Sequence, residues 1–229
     1  MKILFYILGL IMFTSANAQT INVDDPNNKN AVNLNGINGE PFNTVKYVRV
    51  VDGSVYIPNE FTKATLLLKN NKRPINDVTA RINIVDHTLH YLDQNGNELF
   101  TRMTVEEIYF VDKTTGVAQI FTQTPDCDNN KAGWYEIMEK GKLILYREIS
   151  KTVSENKPYG SATIEQKVNT YYNYWMKTSA GCLKVNKIKD FINELKKINP
   201  AIEAATASQK YSDKKSEDWV DVAKKFNAL

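Results

Sequence analysis

Histidine and cysteine are the scarce residues of this 229-residue chain, with two of each. Two cysteines exclude a disulfide-dense mini-scaffold, and with no close thiol pair or second histidine cluster no three- or four-ligand zinc set exists, so no metal is expected. Charge of one sign is lacking too. The 29 basic and 26 acidic residues nearly balance without a block of five like charges, which excludes the basic footprint of a nucleic-acid binder. After residue 13 no window approaches the ~20 apolar residues that a membrane-spanning helix requires. No serine elbow or paired nucleophile is present, so the sequence assigns no catalytic residue and implies no cofactor.

What is there begins with "MKILFYILGLIMFTSANAQT": Lys2, an apolar run from Ile3 to Phe13, then Ala16-Asn17-Ala18. This is the pattern of a secretory signal peptide, and the run is too short for a bilayer core of about 30 Å. Cleavage is expected between Ala18 and Gln19, leaving about 211 residues in the periplasm or outside the cell. No cysteine precedes Cys127, which argues against a lipoprotein anchor. A chain of that length can bury roughly 70% of its unfolded surface as one domain.

Residues 19–43 are rich in Asn with scattered Gly, Pro and Asp and read as a flexible leader. From residue 44 to 187 short runs rich in Val, Ile, Thr, Tyr and Phe alternate with clusters such as "DQNGNE", "DKTTG", "EKGK" and "KTSAG". That grammar predicts an antiparallel meander of about ten strands, closed as a rolled sheet, sandwich or barrel. Asn95-Gly96 marks a hairpin with both residues in the positive-φ positions of a type I′ turn. After Asn186 the period becomes 3.6, and residues 188–229 form C-terminal amphipathic helices. Ile188, Phe191, Ile192 and Leu195 make one apolar stripe; Trp219, Val222, Ala223 and Phe226 make another, behind Ser216 as expected N-cap. Such helices cover a sheet face or plug its end.

The succession "GSVYIPNEFTKATLLLKN", "ARINIVDHTLHYLDQNGNEL", "GWYEIMEKGKLILYREISKTVSENKPYGSAT", "YYNYW" and "KIKDFINEL" resembles a group of exported, uncharacterised proteins of Bacteroidota, across most of the mature chain. The resemblance implies a β-rich exported protein and carries no activity or functional residue with it.

Four stretches invite chemistry. In "DHTLH", His87 and His90 would share a ligand on a helix, but strand-like surroundings put them on opposite faces, and the parity switch at Val85-Asp86 marks a bulge or tight turn. In "PDCDNNKAG", Asp126, Asp128 and Asn130 match the first positions of a calcium loop; the match then fails at Lys131 and Ile137. Cys127 and Cys182 would close a loop of about 55 residues if bonded. Export argues for that bond, while a meander that puts them at opposite ends of the sheet argues against it. "YYNYW" holds Tyr171 and Trp175 on one strand face and Tyr172 and Tyr174 on the other, so Tyr171 and Trp175 are the candidate ligand-binding pair. The function expected is non-enzymatic: an exported binding or envelope-associated module whose partner is an envelope protein or glycan. A barrel carrying a small apolar ligand, and a hydrolase whose Glu106, Glu107 or Glu136 converge only in space, are the alternatives.

Overall fold

The computed structural model describes residues 37, 39–41, 47–69, 73–111, 116, 118–123, 125, 127 and 133–229. The expected signal peptide, its cleavage site and most of the leader lie outside these residues, as do Asp126, Asp128 and Asn130. The described residues all fall within one compact unit, residues 32–229.

The fold is mainly β. Among the described residues twelve strands form one mixed sheet: β1 (Glu40–Pro41), β2 (Val48–Asp52), β3 (Tyr56–Leu68), β4 (Ile75–Asn83), β5 (Thr88–Leu92), β6 (Glu98–Thr101), β7 (Val105–Val111), β8 (Ala118–Thr122), β9 (Trp134–Glu139), β10 (Ile144–Asn156), β11 (Ile164–Thr178) and β12 (Gly181–Val185). Three helices follow: α1 (Ile188–Ile198), α2 (Ala201–Thr206) and α3 (Ser216–Ala228). No helix among the described residues is long and apolar enough to cross a membrane.

The sheet order, β1-β6-β5-β4-β3-β7-β8-β9-β10-β11-β12, is two meanders joined where β7 pairs with β3. That jump forces curvature. Between β6 and β7 lie only residues 102–104, a reach of about 15 Å, whereas four strand spacings in a flat sheet would separate them by about 19 Å. The β2–β3 link, residues 53–55, is as short, yet β2 lies beside β11, six spacings or about 29 Å from β3 if flat. The sheet therefore curls into a half-barrel. Its concave side is filled by Leu66, Val78, Ile82, Leu89, Ile108, Phe121 and Trp134, all essentially inaccessible.

The C-terminal helices extend this packing over the end of β9–β12. Phe191, Leu195, Trp219, Val222 and Phe226 settle on Leu143, Leu145, Tyr174, Met176 and Val185, so both expected stripes face the sheet. One cap differs from expectation, that of α3. Lys215 holds the cap position of α3 and Ser216 is its first helical residue; the amide of Ile188 at the start of α1 donates to Asp213 from the loop before α3.

Three other expectations are corrected. The meander is not wholly antiparallel, because β2 runs parallel to β11, with Ile164 opposite Val48. The leader's last residues are not free of structure: Ile37 is buried and Glu40–Pro41 pair with Phe100 and Leu99. The β5–β6 hairpin turns one residue earlier than a type I′ turn at Asn95-Gly96. The Gly96 amide donates to the Asp93 carbonyl at 3.1 Å, and only Gly96 takes a positive φ, +81°. The Asp93 carboxylate receives the amides of Asn95 and Asn97, which selects this three-residue turn.

Cys127 and Cys182 are bonded, with Cα atoms 5.3 Å apart. In a plain meander Cys127 would stay at the β8–β9 end of the sheet, away from Cys182. Instead Cys127 packs on Tyr135, Ile137 and Tyr146, on the convex face, and so reaches the level of β12.

Candidate functional site

The histidine stretch resolves into structure. Residues 84–87 form the tight turn between β4 and β5, organised by Asn83, whose side-chain oxygen accepts the amides of Val85 and Asp86. His87 is exposed on this turn with φ +55°. His90 is buried: its Nδ1 lies 2.7 Å from Glu98 and its Nε2 3.1 Å from Thr88. Burial lowers the His90 pKa, against the pull of Glu98, so the imidazole is neutral near pH 7, donating to Glu98 and accepting from Thr88. Arg81 bonds the same carboxylate at 2.9 Å and stacks on Tyr56 at 3.6 Å, sealing the cluster. No group of three or more His, Cys, Asp or Glu able to hold a metal occurs among the described residues.

The three carboxylates considered for hydrolysis do not converge. Glu106 is exposed, Glu107 bonds Lys140 at 2.6 Å, and Glu136 receives Arg147 Nε at 2.9 Å on the concave face. Glu107, half-buried, and Glu136, buried, are thus each matched with their own cation rather than with another acid.

The aromatic strand is more informative. On β11 the even residues Val168, Thr170, Tyr172, Tyr174 and Met176 face the concave side; Asn169, Tyr171, Asn173 and Trp175 face the convex side. The expected pair, Tyr171 and Trp175, shares the convex face but is not one platform. Four residues along a strand separate them by about 13 Å, wider than a sugar ring. Trp175 is also partly buried against the disulfide cluster, its indole N–H donating to Glu148 at 2.9 Å. Tyr171 remains 54% exposed.

On the concave face Tyr172 is 51% exposed, its ring 4.8 Å from the Arg147 guanidinium. It lines an open groove of about 600 Å³ with Ser54, Pro58, Asn59, Lys151 and Thr170. Lys151 pins the short β2–β3 link across this groove by donating to the carbonyls of Ser54 at 2.7 Å and Tyr56 at 2.8 Å. Burial lowers its pKa. It has no carboxylate partner among the described residues.

The backbone of β11 adds a second feature. β2 pairs with residues 164–167 and β12 with residues 174–178, so among the described residues no strand flanks residues 168–173 on that side. The direction of each peptide group follows from two contacts. The Ile164 amide donates outward to Tyr47, while the Lys167 carbonyl points inward and accepts from Ser154 on β10. Even residues therefore aim N–H and C=O away from β10. At Val168 that carbonyl is met by Gly53, where an added Cβ would collide with it. Thr170 and Tyr172 aim theirs into the gap, and Thr170, Tyr171 and Tyr172 are three successive exposed residues in the middle of a long strand.

Sequence reasoning missed Thr170, Tyr172 and Lys151. One signal was available: "ATIEQKVNTYYNYW" is far longer than the other predicted strands, so its middle outruns short neighbours. Comparison of the chain with protein-family models, curated proteins and solved structures found no match.

Proposed function

We propose that this protein is an exported, non-enzymatic binding module of the cell envelope, and that residues 168–173 of β11 with the adjoining groove are its recognition surface. The observation that carries the reading is the exposure of Thr170, Tyr171 and Tyr172 at the centre of a strand whose two ends are paired and covered. Aromatic side chains held on a rigid strand present a large contact area at low conformational cost. The signal-like N-terminus supports export, and the disulfide is compatible with an oxidising compartment. The carrier reading finds less support, since the concave interior is occupied by side chains and the groove is open, with Lys151 and backbone carbonyls on its wall.

The test is a backbone NMR titration with soluble peptidoglycan fragments and with capped extended peptides. Shifts concentrated at residues 168–175 support the reading. A titration in which neither class of probe perturbs this stretch overturns it.

A further inference from the structure

We infer that the gap in β11 between β2 and β12 takes a short, extended, acidic segment of a partner protein as an added strand. This inference deepens the proposed function and rests on it.

The backbone supplies the first argument. Thr170 and Tyr172 each turn an N–H and a C=O toward the gap, and no hydrogen bond from the described residues reaches them on that side. An extended peptide satisfies such groups by completing the ladder, whereas a sugar offers no matching alternation of donors and acceptors at strand spacing.

Shape selects the kind of peptide. With Gly53 against Val168, the open gap spans residues 169–173, about 17 Å, and its floor lies one strand spacing, about 4.8 Å, behind the rims formed by β2 and β12. A second copy approaching by its own edge would strike those rims, because its β2 and β12 project equally. A single strand entering and leaving the sheet plane fits.

Charge selects the side chains. Lys151 faces the concave groove and Lys187 lies just beyond β12; neither has an ion-pair partner among the described residues. The nearby acids are engaged: Asp52 bridges Lys167 at 3.0 Å, and Glu148 on the convex side accepts from Trp175 and Asn173. Acidic residues at alternate positions of the added strand would enter the groove beside Lys151 and Tyr172, with apolar residues lying along Tyr171 on the other face.

The experiment uses two capped, dye-labelled octapeptides, one alternating Asp with Val and one alternating Lys with Val, on the disulfide-bonded protein. Binding is read by anisotropy, and amide exchange at Thr170 and Tyr172 by NMR. The Asp peptide is expected to bind about tenfold or more tightly than the Lys peptide and to slow both amides. Thr170→Pro, which deletes an outward N–H and no β10–β11 bond, should weaken binding about tenfold. Should that variant fold poorly, the wild-type exchange result decides alone. Unslowed amides at 170 and 172, or equal affinity for the folded proline variant, overturn strand addition. If peptidoglycan fragments perturb residues 168–175 while neither peptide slows these amides, the binding reading stands and strand addition falls; if nothing perturbs the stretch, both fall.

Discussion

Tyr172 and Tyr174 are two residues apart on β11, point to the same face and belong to the same five-residue word, yet they live in opposite environments. Tyr174 is 9% exposed and stacks on Trp219 with ring centroids 4.0 Å apart. Tyr172 is half exposed, with a guanidinium beside its ring and no helix over it. Local propensity and face parity are identical for both. What separates them is where the neighbours stop: α3 and β12 reach Tyr174 and go no further. One strand thus serves as core at its end and as a surface at its middle.

The largest predicted effect tests the covered half. Trp219→Ala removes a fully buried indole that stacks on both Tyr174 and Phe191, and should cost about 3 to 5 kcal/mol. Phe226→Ala, in the same stripe, should fall at the lower end of that range, since the ring is 5% exposed. Urea unfolding of both variants checks this. A cost below ~1 kcal/mol for Trp219→Ala would mean that the helices do not hold this end of the sheet.

The disulfide comes next. It fastens the convex side behind Trp175, spanning a separation of 55 residues, for which chain entropy sets a ceiling of about 4 kcal/mol. Replacing both cysteines by Ser should cost about 2 to 4 kcal/mol and move the NMR signals of Tyr135, Tyr146 and Trp175, which pack on the bond. The signals of Tyr174 and Trp219 should hold, because they lie on the other face.

Alkaline pH sharpens the same contrast by titration. Burial raises the phenol pKa of Tyr174, Tyr146, Tyr91 and Tyr56, and raises those of Tyr109 and Tyr135 to about 12. A raised acid keeps its proton in the folded chain while the unfolded chain gives it up near pH 10. The folded state then binds more protons, so stability falls as pH rises. The contribution is complete below about pH 10 and is lost between there and about pH 12. Melting temperatures from pH 8 to 11.5 should drop steeply above pH 10, with phenolate absorbance appearing late for these residues.

Much of the covered half was legible in sequence, and little of the open half. Alternation announced the strands, the 3.6-residue stripes named the side chains that contact the sheet, and parity sorted "YYNYW" correctly into two faces. Burial then depended on partners that periodicity cannot identify. The parallel pairing of β2 joins residues 48–52 to residues 164–167, a contact more than a hundred residues apart that leaves no local mark. The gap arises because β11 has fifteen residues and its flanking strands five each, and strand ends are the least certain feature of a pattern. No sequence pattern distinguishes Lys151 from a solvated lysine; only the fold brings the β2–β3 link against it. The cysteine pairing stayed open in sequence because a strand count fixes where a loop begins, not where it folds back.

The smallest predicted effect tests the open half. Tyr172→Ser removes a half-exposed ring whose one cation contact is worth about 0.5 to 1 kcal/mol, so the melt should shift by a degree or two at most. Tyr171→Ser should shift it less. Trp175→Ser should behave differently from both: the indole is packed against the disulfide cluster and its N–H is the partner of Glu148, so its loss should cost about 2 to 3 kcal/mol. This ordering separates a surface from a core without any ligand in hand. If Tyr172→Ser melts as early as Trp175→Ser, the middle of β11 is packing like its end, and the distinction between the two halves of the strand disappears. If the two tyrosine variants keep the wild-type melt while losing the acidic peptide, their side chains are committed to recognition rather than to folding.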